Sequence, residues 1–354
     1  MTPLSTIAAA AATVAVLTAP AVSAERFYIP LGSGNAIVAI DPAEDAIVNR
    51  IDGVPAVHGL AATPDGRFLV AGSFDEREAG AMVPEKPAGM AEDDHAAHHS
   101  KAATKHGGAG ASVVSTVSII EIGSGSVVRR VDVPGVVHHV SIDPAGRFAA
   151  LTQPNQAAVT ILDLANYTVA ATIVTGPLPN YAVFSPDGQR LYVSNAGNNT
   201  VSDITADGWI VLRNAIVGKS PEHVVLSADG KTLYVNNIDG GTVSVIDTAS
   251  WSVGKTLEVG KLLHGVDLSD DGQTLFVAVR GSDSVTAFDL QSGASKTITL
   301  SPSPYHLAAV RGQGKLYISS AEAPKVWVVD QQTLSVIGEI EIGGKGHQMV
   351  QVSG

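Results

Sequence analysis

The chain has 354 residues, 45% of them hydrophobic and 16% charged, with 36 glycines, 18 prolines and no cysteine. This composition excludes a collagenous, coiled-coil or mostly disordered protein, and the missing cysteines exclude disulfides, iron–sulfur clusters and thiolate metal sites, so a transition-metal site must draw on His, Asp, Glu or Met. With 22 Lys and Arg against 34 Asp and Glu the formal charge is −12, and no basic stripe is present to neutralise a row of phosphates, which argues against nucleic acid as a partner.

Residues 1–24 carry no charged side chain and end in the small residues Ala21-Val22-Ser23-Ala24. Their apolar core breaks at Pro20 and is shorter than the ~20 residues of a spanning helix. We therefore expect a signal peptide cleaved near Ala24 and a mature protein that is periplasmic or secreted. No later segment is long and apolar enough to cross a membrane as a helix.

Arg26 to Gly53 supplies three strand-like runs, and a recurring segment of about forty residues follows. Its copies read VHGLAATPDGRFLV (57–70), VHHVSIDPAGRFAAL (137–151), LPNYAVFSPDGQRLYV (178–193), PEHVVLSADGKTLYV (221–235) and LHGVDLSDDGQTLFV (263–277), with a degenerate copy, YHLAAVRGQGKLYI (305–318). Each has an alternating apolar run, a tight turn containing Asp-Gly or its like, and a second run rich in Tyr, Val and Leu, which is a strong hairpin signal. Asp65, Asp187, Asp229 and Asp271 therefore read as turn residues and not catalysts. A third run ends in most copies at an acidic turn residue (Asp41, Glu121, Asp163, Asp247, Asp289, Asp330), and a fourth run follows. Four antiparallel strands per ~40 residues define a propeller blade. The expected fold is all-β, a single seven-bladed β-propeller over residues 25–354. Its split blade is closed by pairing Gly346 to Val352 with the N-terminal strands, which leaves no open sheet edge.

A stretch at about 75–111 interrupts the first blade between its second and third strands. It includes Asp93, Asp94, His95, His98, His99 and His106. Its low complexity predicts a mobile His-rich loop, and His95-x-x-His98-His99 would bring three imidazoles within reach of one ion if the segment turned helical.

Seven of the 11 histidines sit at the start of an inner strand: His58, His138, His139, His223, His264, His306 and His347. Inner strands line the central channel, so these imidazoles are placed to converge at one mouth as ligands of a copper or zinc ion. Asn180-Tyr181 breaks the pattern in one blade. Counted back from the turn glycine, His58, His138 and His264 share one column while His139 and His223 fall one residue later. Strict alternation along a strand would then turn some of the seven away from the axis.

The segments KTLYVNNIDGGTVSVIDTAS (231–250) and QRLYVSNAGNNTVSDI (189–204) resemble the YVTN-type repeats of bacterial seven-bladed propellers, which serve as haem d1 proteins, lactonases, surface-layer repeats and copper enzymes. The His138-His139 pair with single histidines in other blades is similar to the catalytic propeller of nitrous-oxide reductase, whose copper–sulfide cluster is held by seven histidines. No cupredoxin domain follows here, which speaks against that enzyme's full activity. The acidic His-rich loop is similar to those of periplasmic zinc-uptake proteins and propeller-type zinc metallochaperones.

These readings lead to an exported propeller that binds copper or zinc for delivery or storage. Its partners are the metal ion and a periplasmic metal-transport or metalloenzyme partner. An enzymatic role is not expected; if there is one, it is that of a metal-dependent oxidoreductase. Met82, Met90 and Met349 add a Cu(I) option. The alternatives are a haem d1 propeller, with Lys219, Lys261, Arg311 and Lys345 near strand starts for the tetrapyrrole carboxylates, and a cofactor-free interaction scaffold.

Overall fold

The computed structural model describes residues 25–81 and 113–353. The expected signal peptide and the loop residues Asp93, Asp94, His95, His98, His99 and His106 lie outside them. The hairpin at residues 227–232 explains why the repeat folds as it does. The Ser227 hydroxyl donates to Asp229 (2.7 Å) and accepts from the amide of Thr232 (2.9 Å), while Asp229 accepts from the amide of Lys231 (3.1 Å). Gly230, at φ +71°, takes the left-handed position that a side chain would strain. The same hydroxyl-to-carboxylate bond recurs at Thr63–Asp65, Ser185–Asp187 and Ser269–Asp271. It holds all four carboxylates below the usual range, Asp229 at about 2. The acidic residues closing the third strands also act locally: Asp163 accepts from the amide of Ala165, and Asp330 from those of Gln332 and Thr333.

Seven antiparallel sheets result. Blade 1 spans 57–134, blade 2 140–174, blade 3 179–216, blade 4 221–258, blade 5 263–299 and blade 6 304–341. Blade 7 joins the strands Arg26–Pro30, Ala36–Asp41 and Ala46–Asp52 to Val350–Val352, with Arg26 opposite Val352 and Tyr28 opposite Val350. Blade 1 carries a fifth short strand, Arg77–Glu78, paired with Val113–Glu121, so the expected insertion begins with an added strand.

Alternating residues of each strand face opposite neighbours. Along Thr274–Val279, Leu275, Val277 and Val279 pack towards blade 4, and Phe276 and Ala278 towards blade 6. Seven apolar clusters, one per blade interface, make the core a ring instead of a single centre. Each fully buried large side chain contributes about 1.5–3 kcal/mol, and the ring leaves the axis free for polar groups. Among the described residues no helix is long and apolar enough to cross a membrane.

Candidate metal centre

The inner strands bring the histidines to the axis through an irregularity in their pairing. Register shifts occur between Val57 and Gly59, Pro221 and Val224, Leu263 and Val266, and Pro304 and Leu307. His58, His223, His264 and His306 each fall inside one. A bulge breaks the alternation and re-aims side chains. His138, His139 and His347 precede the regular strands Val140–Ile142 and Val350–Val352. The expectation that some of the seven turn outwards therefore fails: all seven are buried, none more than 6% exposed.

Their rings form a closed circuit. Centroids lie 4.5 Å apart for His58–His138, 4.3 Å for His138–His139, 5.1 Å for His139–His223 and 4.3 Å for His223–His264. The circuit is completed by His264–His306 at 4.7 Å, His306–His347 at 5.8 Å and His347–His58 at 4.2 Å. Two sets of three, His58–His306–His347 and His139–His223–His306, each bring three ligand nitrogens within 4.8 Å of one another. His306 belongs to both. The Nε2 atoms of His264 and His306 are 3.4 Å apart. Tetrahedral ligands at ~2.0 Å from an ion sit ~3.3 Å apart, so the nitrogens of either set would draw up to about 1.5 Å closer to share one ion.

Backbone carbonyls orient several rings. Nδ1 of His58 lies 2.7 Å from the carbonyl of His138, and Nδ1 of His139 lies 2.8 Å from that of Asn180. A carbonyl only accepts, so these Nδ1 atoms carry the proton and Nε2 keeps its lone pair, the arrangement that prepares a histidine for a metal. Nε2 of His139 is buried with no hydrogen-bond partner among the described residues. Burial, followed by neighbouring imidazoles, pushes His139 and His306 well below the ordinary imidazole range. Burial, then His138 and Lys345, takes His347 to about 3. These three rings are neutral at physiological pH.

Several neighbours in this basket were missed by sequence reasoning. Glu222 is buried beside His223, and desolvation, aided by Asp239, raises its carboxyl to about 8. It sits one residue after the first residue of its inner strand, as His58, His264 and Tyr305 do in theirs, and that column was the available signal. Tyr305 stacks on His264 at 3.9 Å. The ring of Tyr181 lies 4.5 Å from that of His139 and 5.2 Å from that of His223, and burial pushes its hydroxyl up to about 12. Gln348 spans the ring: its Oε1 accepts from the amides of Leu60 (3.0 Å) and Val140 (3.1 Å), and its Nε2 donates to the carbonyl of Val140 (2.8 Å). Phe74, at the root of the insertion, packs on His58 at 5.3 Å and His138 at 5.2 Å.

Of the cations expected near strand starts, Arg311 follows the end of its strand, Pro304–Val310, and is held there by Asp267 at 2.6 Å. Lys219 lies 3.7 Å from Asp239. Met82 and Met90 fall outside the described residues, while Met349 lines a cavity beneath the histidines.

Gly59 stands where two inner strands nearly touch: a Cβ there would lie 2.9 Å from both the Cα and the carbonyl carbon of His139. Backbone cannot yield as a flexible side chain does, so Gly59→Ala is expected to destabilise the protein by about 1–3 kcal/mol. A lowered denaturation midpoint checks this; an unchanged midpoint refutes the close approach.

The chain matches the family model described as YNCE-like beta-propeller over residues 76–354. No curated protein matches it by sequence. Among solved structures it is similar to hydrazine synthase of Kuenenia stuttgartiensis, with 17% identity, a TM-score of 0.63, and coverage of 85% of this chain and 96% of that one. The dihydro-haem d1 dehydrogenase NirN, solved in complex with DHE, aligns at 13% identity and a TM-score of 0.63, covering 89% of this chain and 63% of that one. A putative 6-phosphogluconolactonase of Bacteroides fragilis aligns at 13% identity and a TM-score of 0.70, covering 95% of this chain and all of that one. Likeness at such identities carries the fold and not the activity. The family match covers most of the chain and agrees with the seven blades described above: the protein belongs to the YNCE-like β-propeller family.

Proposed function

We propose that this protein is an exported carrier or store of an imidazole-binding transition metal, copper or zinc. The observation that carries the reading is the closed circuit of seven buried imidazoles, two sets of which hold three ligand nitrogens within 4.8 Å. Seven imidazoles are far more than structural polar residues at strand starts need, and neutral imidazole suits both metals. The ligands are His58, His138, His139, His223, His264, His306 and His347, with the two sets sharing His306 as the primary sites. Export follows from residues 1–24 read as a signal peptide, and the natural recipient is a metal-transport protein or metalloenzyme of the same compartment.

The His-rich insertion acts in this reading as a collector. Phe74, from which it departs, packs on two of the ring histidines, which supports a short path from loop to ring. An ion held by few ligands exchanges faster than one in a preorganised cage. Removing residues 92–108 is expected to slow loading severalfold more than it lowers final affinity, in stopped-flow uptake against equilibrium titration. Equal slowing and weakening would reject the collector.

A haem d1 role has the fold of NirN behind it, but the geometry favours an ion. Imidazole rings 4.2–6.0 Å apart crowd the axis at their level, and Arg311 is already paired with Asp267 at 2.6 Å. Elemental analysis with an absorption spectrum, on protein exported by its native host and purified without chelator, tests the proposal. One or more equivalents of copper or zinc retained through dialysis are expected. Strong visible bands with iron would transfer the case to haem, and protein that is metal-free and refuses added Cu(II) or Zn(II) would overturn it.

A further inference from the structure

A cavity of about 240 Å³ lies directly beneath the imidazoles. Its walls include His223 and His306 from one three-histidine set, together with Tyr181, Gln348, Asp267 and Met349. An ion held by three neutral imidazoles keeps a coordination position open. It also brings two positive charges into a buried place, and a buried charge needs compensation.

The cavity walls offer little negative charge for that purpose. Asp267 is already bound by Arg311 at 2.6 Å and accepts from the amides of Leu268 and Ala309, both at 2.8 Å. Glu222, on the neighbouring strand, supplies at most one negative charge. What the walls do offer is a hydrogen-bond donor. The amides of Leu60 and Val140 both donate to Oε1 of Gln348, which fixes the orientation of its amide group and leaves Nε2 as a donor. Nε2 reaches the Tyr181 oxygen at 3.4 Å, so the phenol is the acceptor in that contact. Its own proton has no acceptor among the described residues and is available to the cavity.

We infer that this cavity is a binding site for a small anion, which occupies the open position of an ion at His139, His223 and His306 and accepts a hydrogen bond from the Tyr181 hydroxyl. The inference rests on the metal reading above. It gives Tyr181 and Gln348 distinct roles, the first touching the anion and the second holding the first in place. It also accounts for the one blade in which Asn180-Tyr181 replaces the histidine pattern.

The test uses the full chain loaded with Cu(II), its copper content measured first, and titrated with azide. The expected result is a new azide-to-copper charge-transfer band that saturates at one equivalent. Tyr181→Phe should keep the copper content while raising the azide dissociation constant about tenfold, the loss of one hydrogen bond to a charged acceptor. A copper-loaded wild type with no azide band, or equal azide affinity in the two proteins, overturns the anion site and leaves the metal reading standing. A protein that takes up no copper overturns the metal reading and the anion site with it.

Discussion

Replacing His306 with alanine is expected to weaken ion binding by about 100-fold or more, because it removes a ligand from both three-histidine sets at once. His264→Ala should cost about tenfold. Its ring belongs to neither set and meets the site through His306, Nε2 to Nε2 at 3.4 Å. Both substitutions lie at the start of inner strands, away from the seven apolar clusters, so the fold should persist and circular dichroism should show it. Competition against a chelator of known affinity ranks the two variants. Wild-type affinity in His306→Ala, with binding abolished in His264→Ala, would reject both three-histidine sets as the site of the ion.

Acid is expected to destabilise the metal-free protein well above the pH at which ordinary carboxylates titrate. His139, His306 and His347 are depressed in the folded state, His347 to about 3, while in the unfolded chain they return to about 6.5. Below that pH the unfolded chain takes up protons that the folded one refuses. Stability is therefore fully present above about 6.5 and falls as the pH drops, by about 1.4 kcal/mol per unit for each group. Glu222 works in the opposite sense: raised to about 8, it stabilises the folded state most below its unfolded value and loses that contribution as the pH rises towards 8. Between about 4.5 and 6.5 the three imidazoles outweigh the one carboxyl, so the net effect of acidification is a loss of stability. Chemical denaturation of the metal-free protein at pH 7 and pH 5 measures it, and saturating Zn(II) or Cu(II) should raise both midpoints. Midpoints that do not move with pH would show that these imidazoles are not held neutral by the fold.

Most of the architecture was legible in the sequence because it repeats. Asp-Gly turns between alternating runs mark each hairpin, and Gly346 to Val352 has the pattern of an inner strand with no blade of its own. The column of histidines was legible for the same reason. Which of them face the axis was not, because alternation assumes a regular strand and the register shifts at His58, His223, His264 and His306 break it. Tyr181 and Gln348 do not recur from blade to blade, and their roles come from contacts between blades, whereas Glu222 shares its strand position with His58, His264 and Tyr305. The amide of Leu60 and the side chain of Gln348 are 288 residues apart in the chain. Arg311 was misplaced because nearness in sequence to an inner strand does not say which end of it a residue occupies.

The closing strand gives the site a place in time. Val350–Val352 docks on Arg26–Pro30, and the segment that precedes it carries His347 and Gln348 to the axis. The other six blades leave the ribosome earlier, and each can pair its own four strands without that segment. The set of His58, His306 and His347 nevertheless lacks a member until residues some 290 positions apart have met. A nascent chain, however many blades it has formed, cannot sequester an ion there. Occupancy of that set thus reports a finished ring, and a chain clipped before Gly346 would be unable to acquire it.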